Sequence, residues 1–122
     1  MPHLAAAARD AYRRAGIEDP AAAVASWHVH DYTPDAEILA YAPLGVCAAG
    51  EAIDLALAGA ERVNPDGGSL AGAAPFGGPM RTVLEAVRRA QLGAAEQRFL
   101  VAQLSTGFAG QFQTVAIVEA VR

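Results

Sequence analysis

The sequence has no lysine, only one cysteine and no long apolar run. All nine basic residues are arginine, and the formal net charge of −4 argues against a nucleic-acid-binding surface. The single Cys47 excludes an intrachain disulfide framework and favours a cytoplasmic location. No segment approaches the roughly 18 apolar residues that a membrane span requires. The amino terminus also lacks the basic start and apolar core of a signal peptide.

Apolar residues are abundant: they make up 53% of the 122 residues, and 30 of them are alanine. This composition is typical of a folded chain, and the length predicts a single domain over residues 1–122. Apolar residues at helical spacing alternate with short apolar runs, which indicates the α/β class. The predicted helices cover residues 4–15, 35–41, 49–58 and 80–92, and the predicted strands cover residues 24–30, 99–104 and 112–121.

A stretch rich in glycine and proline, residues 64–79, leads directly into the last predicted helix. It is too rich in Gly and Pro for a helix or strand, and it is longer than an ordinary connection. Without a lysine it is not a phosphate-binding P-loop. We expect its backbone to lie close to a ligand or another chain, because glycine is used where no Cβ fits. The helix that follows has one predicted apolar face: Met80, Val83, Leu84, Val87 and Gln91.

The densest polar cluster, residues 28–32, lies where the first strand ends. Sites in α/β sheets commonly occur there. His30 can carry a proton or donate to an oxyanion, Asp31 can orient an imidazole or cap a turn, and Tyr32 can act as an acid or base. The alternative is that His28 is a surface residue, Asp31 a turn residue and Tyr32 a packing residue, since strand ends commonly carry polar residues. A zinc pair of His28 and His30 lacks a third ligand, and we predict no metal site.

Neither candidate nucleophile has the sequence context of one. Cys47 has no basic neighbour that would activate a thiol, and no Gly-x-Ser-x-Gly motif surrounds Ser69. The residues alone therefore form no complete catalytic set.

Several motifs occur in order along nearly the whole chain. They are AYRRAGI at 11–17, VHDYTP at 29–34, EILAY at 37–41, LGVCAAGE at 44–51, NPDGG at 64–68, GAAPFG at 72–77 and GFAG at 107–110. In order and spacing they resemble the "AYxxAGI", "VHDCFTP", "ELIAYExLGLCxPGE", "NPSGG" and "GHPxG" motifs, and the terminal Gly-rich motif, of the carboxyl-terminal half of thiolases. The resemblance is to thiolases of the sterol carrier protein X type.

The resemblance also shows which thiolase groups are missing. In that family the nucleophilic Cys lies in the amino-terminal half, which this sequence does not contain. The His that helps to activate it is replaced by Ala74, and the acid/base Cys of "HDCF" is replaced by Tyr32. The His of that motif, which helps to form an oxyanion hole, is kept as His30. This combination resembles the thiolase-like aldolases of steroid side-chain degradation, which cleave a carbon–carbon bond of a β-hydroxyacyl-CoA without a nucleophilic Cys.

The resemblance implies a thiolase-type half with a mixed five-stranded sheet and helices on both faces. It implies an enzyme subunit that acts on acyl-CoA thioesters, with His30 stabilising an enolate oxygen and Tyr32 moving a proton. Coenzyme A would be part of the substrate, and no other cofactor is expected. Two alternatives stay open: an acyltransferase subunit whose nucleophile lies on a partner chain, and a non-catalytic structural or regulatory subunit.

The resemblance further implies where the substrate and the partners bind. The expected substrate-binding residues are Asp31, Asn64, Gly67, Gly68, Pro75 and Gly77. The expected partner is an amino-terminal thiolase-like half, with an OB-fold protein as a further partner. Without that half, we expect the chain to pair with a copy of itself through residues 69–87.

Overall fold

A computed structural model describes residues 1–70, 77–93, 98–107 and 110–121. The elements are, in chain order, α1 (Pro2–Ala15), α2 (Pro20–Ala23), β1 (Val24–His28), α3 (Pro34–Tyr41), α4 (Ala52–Leu57), α5 (Gly78–Gln91), β2 (Phe99–Thr106) and β3 (Phe112–Glu119). Each predicted helix and strand is present, with ends shifted by a few residues. The short helix α2 was not predicted, although Asp19 caps its amino end by accepting the Ala22 N–H.

The sheet is mixed, with strand order β1-β2-β3. β1 is parallel to β2, and β2 pairs with β3 in antiparallel register over its full length. A parallel bridge between Trp27 and Val63 adds one further pairing on the other side of β1. The described residues therefore contain three strands and this bridge, where the sequence analysis expected five strands.

Helices cover both faces of the sheet, as expected. Val101 of β2 belongs to a core cluster with Leu4, Ala8 and Tyr12 of α1. Leu100 and Ala102, the neighbours of Val101 in β2, instead belong to a second core cluster with Ala86 of α5. Because successive strand residues point to opposite faces, α1 and α5 lie on opposite sides of β2. This explains why β2 is largely buried and why its first four residues, Phe99 to Ala102, are all apolar.

The α5 helix packs against the sheet mainly through its small residues. Gly78, Thr82 and Ala86 are buried against the sheet, one turn apart. Three residues of the predicted apolar face are exposed: Met80, Leu84 and Val87. Val83 of the same face is half-buried and packs against the second core cluster. Small side chains let the helix approach the sheet closely, and the stripe of Met80, Leu84 and Val87 points away from this chain's own core.

The β3 strand is less buried than β2. Its residues are mostly half-buried and Phe112 is exposed, because the described residues place no strand on its outer side. Among the described helices, none has the length and apolar character needed to cross a membrane.

Candidate active site

His30 lies just beyond the carboxyl end of β1 and is held by β2. Its main-chain N–H donates to Oε1 of Gln103 at 2.9 Å, and its ring Nδ1 lies 3.0 Å from the main-chain carbonyl oxygen of Ser105. A carbonyl oxygen only accepts, so Nδ1 carries the proton in this contact. In the neutral ring, Nε2 is then the unprotonated nitrogen.

The amino end of α5 lies against the other side of the His30 ring. A Cβ added to Gly78 would lie 2.9 Å from Nε2, a distance at which something must shift, so glycine is what lets the helix begin here. Gly77, a predicted substrate-binding residue, is the N-cap of this helix. The amino end of a helix carries a partial positive charge and favours negative charge nearby. The site therefore combines a proton acceptor with a region that favours an anion.

Tyr32 lies beside His30 and is open to solvent. The two ring centroids are 5.2 Å apart, and half of the Tyr32 surface is exposed. Its hydroxyl lies 3.7 Å from the position that a Cβ on Gly110 would take, so the turn between β2 and β3 also borders the site. The structure thus brings His30, Tyr32, the start of α5 and this turn together.

Asp31 faces the glycine-rich loop and makes no hydrogen bond to an imidazole. It is buried, and its two carboxylate oxygens accept the main-chain N–H groups of Ser69 at 2.6 Å and Leu70 at 3.2 Å. A Cβ on Gly68 would overlap this carboxylate. Asp31 and Gly68 therefore fix the path of the loop, and their contact with a substrate stays a prediction.

Both the oxygen and the nitrogen of the Asn64 side-chain amide also form hydrogen bonds within the protein. Its Oδ1 accepts the Val29 N–H at 2.8 Å, and its Nδ2 donates to Oε2 of Glu37 at 3.2 Å. Its backbone is left-handed, with φ 43°, and its carbonyl accepts the N–H of Gly67, which has φ 96°. Asn64 and Gly67 thus form the turn that starts the loop. Pro75 lies outside the described residues.

Sequence reasoning missed a polar network beneath His30. Nε2 of Gln103 donates to Oε1 of Gln113 at 2.7 Å. Nε2 of Gln113 donates to the Ser105 hydroxyl at 3.0 Å and to the Gly110 carbonyl at 2.8 Å. The available signal was a glutamine inside an apolar strand, since a buried amide needs partners.

A model of the family described as thiolase C-terminal domain-like matches residues 1–120. The chain belongs to this family. No curated protein and no solved structure gave a significant match. The match confirms the resemblance to the carboxyl-terminal half of a thiolase. The mixed sheet with helices on both faces is consistent with this family.

This thiolase-like domain contains no activated thiol. Cys47, its only cysteine, is half-buried and packs against the core cluster of α1 and β1. Burial, and after it the negative charge of Glu51, raises the pKa of the thiol. Thiolate is the nucleophilic form, so this environment opposes a nucleophilic role.

The two histidines near the end of β1 have different surroundings. His28 is buried and its Nε2 lies 3.1 Å from the Ser26 hydroxyl, whereas His30 contacts Ser105. Burial lowers the pKa of His28. The residues that the structure describes contain no group of three His, Cys, Asp or Glu side chains that could hold a metal ion.

Proposed function

We propose that this thiolase-like domain is half of an enzyme that acts on acyl-CoA thioesters and cleaves a carbon–carbon bond by retro-aldol chemistry. The observation that carries the proposal is the pairing of His30 and Tyr32, with ring centroids 5.2 Å apart, beside the amino end of α5. The only thiol of the chain, in contrast, lies in an environment that raises its pKa.

This pairing suits a reaction that needs proton transfer and no nucleophile. Retro-aldol cleavage removes a proton from a β-hydroxyl group and places negative charge on the thioester as an enolate. Imidazole and phenol groups are common proton carriers in enzymes. The partial positive charge at the amino end of α5 favours the enolate oxygen. Each demand of the reaction therefore has a group near His30 that meets it.

The exposed face of α5 supports a partner that completes the site. Met80, Leu84 and Val87 lie on one side of the helix and are exposed. An apolar stripe of this kind is typical of an interaction surface. We assign it to an amino-terminal thiolase-like half, which would supply the other wall of the site. An OB-fold protein is a further proposed partner.

A second candidate is a non-catalytic subunit that only completes the fold of its partner. The observation that favours it is the internal hydrogen bonding of Asp31 and Asn64. Their side chains bond to the glycine-rich loop, to Val29 just after β1, and to α3. A third candidate, an acyltransferase subunit, requires a nucleophile supplied by the partner chain.

The test begins with the complex purified from its native host, whose second chain is identified by mass spectrometry. The complex is incubated with β-hydroxyacyl-CoA substrates, and shortened acyl-CoA and carbonyl products are measured by chromatography with mass detection. His30→Ala is expected to lower kcat on the order of 100-fold, the usual scale for loss of a general acid or base. Tyr32→Phe is expected to lower kcat while substrate binding survives.

Each alternative gives a different result. An intact complex that cleaves none of these substrates, and whose partner loses solubility without this chain, supports the non-catalytic subunit. Acyl transfer without carbon–carbon cleavage supports the acyltransferase. Cleavage that proceeds equally fast in His30→Ala contradicts the assigned site.

A further inference from the structure

The network at the carboxyl end of β2 determines which nitrogen of His30 faces the site. We infer that His30 accepts the proton of the substrate's β-hydroxyl group at Nε2, and that Gln103 is a positioning residue that holds His30 for this step. The inference rests on the proposed carbon–carbon cleavage. It reverses the role implied by the thiolase resemblance, in which His30 donates to an oxyanion.

The contact with Ser105 decides between donor and acceptor. The 3.0 Å distance from Nδ1 to the Ser105 carbonyl oxygen is that of a hydrogen bond, and only Nδ1 can supply its proton. A neutral ring with the proton on Nε2 instead would set the Nδ1 lone pair against the lone pairs of that oxygen. The neutral ring therefore keeps Nε2 free to accept, and donation from Nε2 would require the imidazolium.

Gln103 holds the backbone of His30 as part of a chain of hydrogen bonds. Each member of the chain accepts from the one before it and donates to the next. The His30 N–H must donate, so the amide oxygen of Gln103 faces it and the amide nitrogen faces Gln113. The oxygen of Gln113 is then occupied, and its nitrogen donates to the Ser105 hydroxyl and the Gly110 carbonyl. Each amide orientation fixes the next one.

Burial strengthens this chain. Gln103 is only 2% exposed and Ser105 only 7%, so water competes weakly for their hydrogen bonds. Removing the amide of Gln103 would leave the His30 N–H without that acceptor in a partly buried place. Of its two hydrogen bonds to β2, His30 would then keep only the one from its ring to Ser105.

The proposed step conserves protons and electrons. The β-hydroxyl proton moves to Nε2, the carbon–carbon bond to the α-carbon breaks, and its electron pair forms the thioester enolate while the β-carbon becomes a carbonyl. Tyr32 protonates the α-carbon and recovers a proton from the His30 imidazolium. The products are a shortened acyl thioester and a ketone or aldehyde, and no oxidant or reductant is needed.

The first experiment measures the tautomer of His30 independently of activity. The full chain, labelled with 15N-histidine, is studied at mildly alkaline pH by long-range proton–nitrogen correlation NMR. The three histidines are assigned by the signal lost in each single variant, His30→Asn among them. The expected result is a protonated Nδ1 and an unprotonated Nε2 for His30. A protonated Nε2 with a bare Nδ1 overturns the inference.

The second experiment compares variants in the complex that cleaves the substrate. Gln103→Met keeps the length of the side chain and removes its hydrogen bonds, and we expect kcat to fall by about 10-fold to 100-fold with KM little changed, as displaced catalytic groups do. Gln103→Glu, which keeps an acceptor for the His30 N–H, is expected to recover part of the loss. Glu18→Met, at an exposed residue between α1 and α2 and outside the network, is the control and should retain the wild-type rate.

The outcomes separate this inference from the proposed function. Cleavage by Gln103→Met at the wild-type rate overturns the positioning role and leaves the proposed function intact. The expected tautomer in a complex that cleaves no β-hydroxyacyl-CoA overturns the acceptor role together with the proposed function. Cleavage by the wild-type complex, present in the first case and absent in the second, distinguishes the two.

Discussion

The carboxylate of Asp31 accepts the main-chain N–H of Ser69 at 2.6 Å, across 38 residues of sequence. Its other oxygen accepts the N–H of Leu70. Because Asp31 directly follows His30, this contact attaches the glycine-rich loop to the segment that carries the candidate site. The position of the loop and the position of the His30 ring are therefore coupled.

A substitution at Gly68 tests how strongly the contact with Asp31 constrains the loop. Gly68→Ala would place a Cβ into the Asp31 carboxylate, and its φ of 61° already disfavours a side chain. Strain and overpacking together should lower the free energy of unfolding by about 2–5 kcal/mol. The measurement is urea denaturation followed by circular dichroism.

Gly16→Ala is the matched control for Gly68→Ala. Gly16 has a similar φ of 70°, but a Cβ there meets nothing within 4 Å. Its cost should be limited to the left-handed backbone, about 1–2 kcal/mol. Equal losses in the two variants would show that the Asp31 contact adds no constraint.

His28 should make the fold sensitive to acid. Burial is the main cause that lowers its folded-state pKa below the ordinary value of 6.5, with Arg89 acting in the same direction and Asp66 and Glu85 opposing. The unfolded chain then binds a proton that the folded chain does not, so stability is lost as the pH falls through about 6.5 towards the folded-state pKa. The slope from this one proton is at most about 1.4 kcal/mol per pH unit.

His28→Gln should flatten that slope. Glutamine can still hydrogen-bond to the Ser26 hydroxyl, but it does not titrate. Denaturation midpoints measured between about pH 7.5 and pH 5.5 provide the comparison. His3→Gln, at an exposed position, is the control and should keep the wild-type profile. A His28→Gln variant that loses stability as steeply as wild type would assign the effect to other groups.

The sequence predicted the local elements well, because their signals are local. The helix predicted over residues 35–41 is present as Pro34–Tyr41, and the Thr33 hydroxyl accepts the N–H of Ala36 at its start. The role of Asp31 and the network of Gln103 could not be predicted in this way. Gln103 meets His30 across 73 residues, a pairing that depends on β1 lying beside β2.

The α5 helix shows a second limit of periodicity. Helical spacing correctly grouped Met80, Leu84 and Val87 on one face, but it could not say whether this face meets the chain's own sheet or another protein. The close fit of Gly78, Thr82 and Ala86 against the sheet decides the matter. Small residues carry little hydrophobic signal, so the packing face was the less conspicuous one.

Cys47 should be dispensable for activity. Its thiol packs against the core at one side of the α1 cluster, and its raised pKa keeps it protonated. Cys47→Ala should leave the kcat of the purified complex unchanged, within the error of the assay. Inactivation with retained stability would mean that the nucleophile lies on this chain and that the proposed chemistry is wrong.

The last prediction is that the exposed face of α5 binds a partner. Leu84 is 66% exposed at the centre of the stripe formed with Met80 and Val87. Burying apolar surface contributes roughly 25 cal/mol per Å², and a charge placed in the middle of such an interface is costly. Leu84→Arg should therefore weaken association by about 30-fold or more, the scale of a hot-spot residue. It should change the stability of the isolated chain by no more than about 0.5 kcal/mol, as at other surface positions.

Sedimentation velocity over a concentration series measures this effect, with the chain alone for self-association and with its native partner for the heteromeric complex. Leu57→Arg is the matched control, because Leu57 is also an exposed leucine, 83% exposed, but lies on α4. If both variants weaken association equally, the effect comes from added charge and not from the α5 surface. If the chain stays monomeric at micromolar concentration and Leu84→Arg binds the partner as tightly as wild type, α5 is not the interface. Loss of association in Leu84→Arg alone, with the fold retained, assigns the contact to this helix face.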